Sequence, residues 1–109
     1  MPPLPATAQA VSADKTHAAY ELAIKCFVVN GHAHFDRREA KDLEGASRYE
    51  GNAKRAWDIA DKLRIKLGYP KERYSADHKR IMDRELPRLY KEPGYYATAA
   101  GECKAYGLL

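Results

Sequence analysis

His32-Ala33-His34-Phe35-Asp36 is the stretch of this chain in which side chains of metal-binding type crowd most closely. Two imidazoles and a carboxylate would hold a divalent cation if their geometry were fixed. Led by Gly31, the segment reads as a flexible loop, where an H-x-H pair has no fixed geometry, and neither His17 nor His78 has a spacing that brings it alongside. The expectation is an exposed polar loop with Asp36 as a helix cap and with no metal or other cofactor. Ser75, Asp77 and His78 have the residue types of acyl-transfer chemistry, but they fall within four consecutive positions, which a helix start splays apart. Capping suits Ser75 better. Glu21, Glu50, Asp58 and Asp61 lie on faces expected to be wet, where a carboxyl group is not tuned for acid–base work. No catalytic set emerges, and the chain reads as a non-enzyme.

The two cysteines, Cys26 and Cys103, have neither zinc-finger nor C-x-x-C spacing, so a metal knuckle or a thioredoxin-type centre is not indicated. In an oxidising compartment one long-range disulfide is the economical reading, and closing so long a loop stabilises by about 4 kcal/mol in the chain-entropy model. The alternative is two buried free thiols in a cytosolic protein.

Helices must position these groups. Asp14 or Thr16 is placed to cap a first helix running to about Asn30, with Tyr20, Ala23, Ile24, Phe27 and Val28 on one face and Leu22, Cys26 and Val29 on another. A helix apolar on two faces belongs at the centre of a bundle. Asn30-Gly31 is expected to end it. Asp36 and Glu39 resemble a capping box for a short polar helix to about Leu43, which Gly45 interrupts. Ser47-Arg48-Tyr49-Glu50 forms a better box. From there Tyr49, Ala53, Ala56, Ala60, Leu63 and Leu67 mark the strongest helix, flanked by Trp57 and stopped by Gly68 and Pro70.

A third long helix begins at Ser75, with Ile81, Met82, Leu86, Leu89 and Tyr90 inward, and Pro87 is expected to kink it or end it early. After Pro93-Gly94 a last helix carries Tyr96, Ala99, Ala100, Cys103 and Tyr106 on one side, which turns Cys103 toward the core as Cys26 is turned. No alternating strand of convincing length is present. The fold class is therefore all-α: a compact bundle of four to five helices stapled by one disulfide, in a single domain over residues 12–109.

At 109 residues the chain suits one core. Its charge of +4 comes from interleaved residues, and the segment from Arg48 to Lys91 is the basic part, at net +6. That would favour an acidic partner surface. Nothing approaches the roughly 18 apolar residues of a membrane span. The start, MPPLPATAQA, ends in Ala8-Gln9-Ala10, the A-x-A form of a signal-peptidase site, so residues 1–11 read as a signal-peptide remnant or a flexible tail, with mature numbering near Val11.

Eight tyrosines exceed what a small core absorbs, and Tyr69, Tyr74 and Tyr95 fall in connections, where a rigid amphipathic ring suits a protein interface. With Ala19-Tyr20 and Cys26 at the start, Leu67-Gly68 in the middle and Cys103-Lys104-Ala105-Tyr106-Gly107-Leu108 at the end, the chain resembles small two-cysteine exported proteins of Proteobacteria. Helical members of that kind include periplasmic immunity proteins against peptidoglycan amidases delivered by type VI secretion. The resemblance implies a periplasmic inhibitor that covers the cleft of a toxin or cell-wall hydrolase, and a homodimer is compatible with it. The His32 to Phe35 loop, with His34 within it, and the Pro93 to Tyr96 turn, with Tyr95, are the expected partner-binding surfaces. The alternative is a small basic helical nucleic-acid-binding protein using Arg48, Lys54, Arg55, Lys62, Arg64 and Lys66, whose affinity would fall steeply with salt.

Overall fold

The computed structural model describes the backbone of residues 6–109 and the side chains of residues 13–109. Of the expected signal remnant or tail, residues 1–5 lie outside the described residues. The described residues form four helices: α1 (Ala6–Glu39), α2 (Leu43–Leu67), α3 (Lys71–Lys91) and α4 (Tyr95–Ala105). No strand occurs among the described residues.

α1 is the element the other three share, as its two apolar faces require. Tyr20, Ala23, Ile24, Cys26, Val28, Val29 and Ala33 are all buried along it. Its 34 residues correspond to about 51 Å of helix, which sets the 56 Å long axis of the molecule. The radius of gyration is 15.6 Å, against about 13 Å for a rounder domain of this length.

The expected stop at Asn30-Gly31 does not exist. α1 runs straight through both residues and through the His32 to Phe35 segment, so that segment is helix and not loop. The reason is tertiary. Asn30 is fully buried, and its Nδ2 donates to the carbonyls of Cys26, 2.8 Å away, and Leu108, 2.7 Å away. That side chain clamps the carboxy-terminal segment to the middle of α1, while buried Val29 and Ala33 hold the turns on either side. Together these outweigh the roughly 1 kcal/mol that Gly31 costs inside a helix.

The true end of α1 lies at Lys41, in the left-handed region at φ 61°. There the Asp42 amide donates to Arg37 and the Lys41 amide to Arg38, the paired bonds of a Schellman ending. The expected short helix from Asp36 to Leu43 is therefore absent. The cap of α2 also moves from Ser47 to Asp42, whose Oδ1 accepts from the Gly45 amide at 2.9 Å. Gly45 does not interrupt a helix; it sits in the first turn of α2, where an added Cβ would press into the Asp42 carboxylate, with Cγ 2.9 Å away.

The stripe of α2 packs as expected, with Ala53, Ala56 and Ala60 buried. Gly68, at φ 76°, closes the helix with the same pair of bonds, to Arg64 and Ile65. α3 starts four residues before Ser75, on Pro70 in extended conformation, and Ser75 is an exposed position within it. Pro87 lies inside α3, which continues to Lys91. Tyr90 and Tyr106, expected inward, are each 69% exposed.

The Cys26–Cys103 disulfide joins α1 to α4, with Cα atoms 5.6 Å apart and both residues fully buried. A polar network lies beside it. Lys25, next to Cys26, pairs with Glu102, next to Cys103, at 3.1 Å, and with Glu85 of α3 at 3.9 Å. Glu85 is 1% exposed and also accepts from the Tyr95 hydroxyl and, at 3.0 Å, from Arg84. A buried carboxylate needs this degree of satisfaction.

A candidate protein-binding groove

Where the second half of α1 meets the start of α2 and the start of α4, a groove of about 480 Å³ opens. It exists because α1 does not stop at Gly31: His32, Asp36 and Arg37 supply one wall, Arg48 and Tyr49 of α2 a second, and Tyr96 of α4 a third. Two of the residues singled out from the sequence, His32 and Tyr96, meet here with ring centroids 5.9 Å apart, and Tyr90 of α3 stands edge-on to His32 at 4.8 Å. Burial, and then a hydrogen bond to Tyr49, push the Tyr96 phenol up to about 12, so it stays a neutral hydroxyl at physiological pH.

The charges of the groove are unequally committed. Arg37 pairs with Asp36 at 3.0 Å and with Asp42 at 4.0 Å, and Asp42 is also the cap of α2. Arg48 has no carboxylate partner among the described residues, and its guanidinium lies over the Tyr49 ring at 5.2 Å. The Nδ1 of His32 is buried without a hydrogen-bond partner.

The remaining sequence-derived residues sit elsewhere. His34 hydrogen-bonds through Nδ1 to the Ala46 carbonyl at 2.8 Å, joining α1 to α2, and Phe35 beside it is 58% exposed. Tyr95 is buried with its hydroxyl on Glu85 and Arg88 stacked 3.9 Å from its ring centroid. It borders a second groove of about 420 Å³, where the charges are paired, Lys25 with Glu102 and Arg88 with Glu92.

Asp77 and His78 do not form a triad with exposed Ser75. Asp77 accepts from the Tyr20 hydroxyl at 2.8 Å and pairs with Arg73 and Arg80. His78 is buried in an aromatic box, with ring centroids 4.4 Å from Trp57, 4.5 Å from Tyr74 and 5.4 Å from Phe27, and neither ring nitrogen has a partner. Desolvation there lowers its pKa below the ordinary histidine value, partly offset by neighbouring Asp77. No cluster of three or more metal-ligating side chains occurs among the described residues.

On α2, Lys54 pairs with Glu50, Arg64 with Asp61, and Arg55 donates to the Gly107 carbonyl, so half of the six basic residues grouped by sequence are engaged within the fold. Among the described residues no helix is long and apolar enough to cross a membrane. No family model, curated protein or solved structure matches the chain.

Sequence reasoning missed Arg48 and Tyr49 as groove residues because it assigned both to a capping box. The signal that would have separated them is Asp42 three residues before Gly45, an alternative cap that frees the Ser47 to Glu50 turn to carry other side chains.

Proposed function

We propose that this protein is an exported binding protein of the immunity or inhibitor class, which blocks a toxin or cell-wall hydrolase in the periplasm by direct contact. The observation that carries the reading is the groove of His32, Tyr49 and Tyr96, whose walls come from different helices that packing and the disulfide hold in place. Tyrosine presents a large, amphipathic contact area with few rotatable bonds, and walls fixed before binding reduce the ordering cost of association. The Cys26–Cys103 bridge supports an oxidising compartment.

The test has two parts. Immobilised protein is used to capture partners from periplasmic extract, beside a Tyr96→Ala variant, and the captured protein is assayed for hydrolase or toxin activity with and without the purified chain. A partner that is inhibited by the chain and retained less by the variant is the expected result. Capture unaffected by Tyr96→Ala, or a partner whose activity the chain leaves unchanged, would overturn the reading.

A further inference from the structure

The fold accounts for only half of the Asn30-Gly31 pair in the middle of α1. Asn30 is the clamp on Leu108. Gly31 meets no demand for glycine among the described residues: its φ is not left-handed, and an added Cβ would meet nothing within 4 Å. Alanine would suit the helix better. What the pair does carry is a reaction, because a residue without a side chain leaves its backbone nitrogen unhindered toward the amide of a preceding asparagine. We infer that Asn30 is a deamidation site, shut while α1 is folded and exposed when the chain opens, whose product cannot rebuild the clamp, so that unfolding becomes irreversible with time.

In the reaction the Gly31 nitrogen gives its proton to a solvent base and bonds to Asn30 Cγ. The Cγ–Nδ2 bond breaks, and Nδ2 takes up a proton and leaves as ammonia. One water then opens the ring, at Cγ to give aspartate or at the main-chain carbonyl to give isoaspartate. Nothing is oxidised or reduced. The folded chain denies each requirement. The Gly31 N–H belongs to the regular hydrogen-bond ladder of α1. Ring closure turns that nitrogen toward Cβ, a main-chain torsion that a helix does not have. Asn30 is fully buried, and its Nδ2 is held by the carbonyls of Cys26 at 2.8 Å and Leu108 at 2.7 Å. Aspartate at this position has no proton to give at neutral pH, so its charge faces both carbonyls, while Oδ1 already lacks a partner. Isoaspartate adds a methylene to the main chain and throws the turn bearing His32, Asp36 and Arg37 of the groove out of register.

The test holds the disulfide-bonded protein in mildly alkaline buffer with and without guanidinium chloride. After reduction and alkylation, mass spectrometry follows the tryptic peptides Cys26 to Arg37 and Tyr49 to Lys54, the second carrying Asn52, the other asparagine of the chain, which precedes Ala53. Part of each denatured sample is diluted and its refolding read by circular dichroism. Asn30 should convert in denaturant, ahead of Asn52, and more slowly in the native protein by a factor on the order of a thousand or more, the inverse of a folded chain's open fraction. The refoldable fraction should fall in step with that conversion. Gly31→Ala, which has room for its methyl group, should keep both Asn30 and refolding, and Asn30→Asp should melt below Asn52→Asp. A native rate within about tenfold of the denatured rate would overturn the inference, as would no conversion in denaturant or Asn52 converting as fast. Converted chains that regain the native spectrum would also overturn it, and so would a Gly31→Ala chain that loses refolding at the wild-type rate.

Discussion

Removing the Cys26–Cys103 bridge by the double substitution Cys26→Ala and Cys103→Ala should cost about 4.5 kcal/mol of stability. The figure follows from the 77-residue separation inserted in the loop-closure relation, about 15 cal/mol/K of entropy at 298 K. Alanine is the proper replacement, because both positions are fully buried and a serine hydroxyl there would add an unsatisfied polar group. What remains to hold α4 and the segment after it is buried Ala99 and Tyr95, the Tyr95–Glu85, Tyr95–Arg88, Tyr96–His32 and Lys25–Glu102 contacts, the Arg55 bond to Gly107 and the Asn30 clamp on Leu108. The 11 residues of α4 fall below the ~12 at which an isolated helix is even marginal.

Urea unfolding followed by circular dichroism measures the effect. With a slope of about 1.5 kcal/mol per M, the midpoint should fall by about 3 M, and the slope itself should rise because the uncrosslinked unfolded chain exposes more surface. A loss under about 1 kcal/mol with an unchanged slope would refute the reasoning. It would mean that the unfolded chain is already compact enough to keep residues 26 and 103 close, or that packing and polar contacts fix α4 without the bond.

Two further outcomes follow from the packing. Because the folded pKa of His78 lies below the unfolded value, the unfolded state takes up the proton first, and stability falls as pH drops below about 6.5 toward the folded pKa; His78→Leu should flatten this part of a melting-temperature profile between pH 7.5 and 4.5, and parallel profiles for the two proteins would sink the assignment. Lys41 occupies a left-handed conformation that glycine adopts freely, so Lys41→Gly should stabilise by up to about 1 kcal/mol in urea unfolding, less the added entropy of the unfolded chain, and a destabilised variant would contradict the account of how α1 ends.

The elements that sequence reasoning placed well are those whose signals are local and agree with one another. The α2 stripe of Ala53, Ala56 and Ala60 is followed by Gly68 at the position where the left-handed residue is needed. The cysteine pairing was legible because Cys26 and Cys103 each lie on an inward face of their own helix. The errors occur where a distant residue decides a local question. Asn30-Gly31 has the composition of a helix end, yet the Leu108 carbonyl, 78 positions away, makes Asn30 a buried clamp. The real end was hidden because lysine fills a place usually given to glycine. The groove was half legible: His32 and Tyr96 were singled out, but their meeting depends on α1 continuing for two further turns, and Arg48 joins them through a cap that was assigned elsewhere.

The presence of two cysteines and no others has a consequence for how the protein matures. Within one chain two thiols admit a single pairing, so oxidation cannot trap a scrambled isomer, and no reshuffling enzyme is needed to reach the native connectivity. The wrong product open to it joins two molecules. The native partner is favoured over a neighbour's thiol because tethering in one chain raises its effective concentration as soon as α1 and α4 approach.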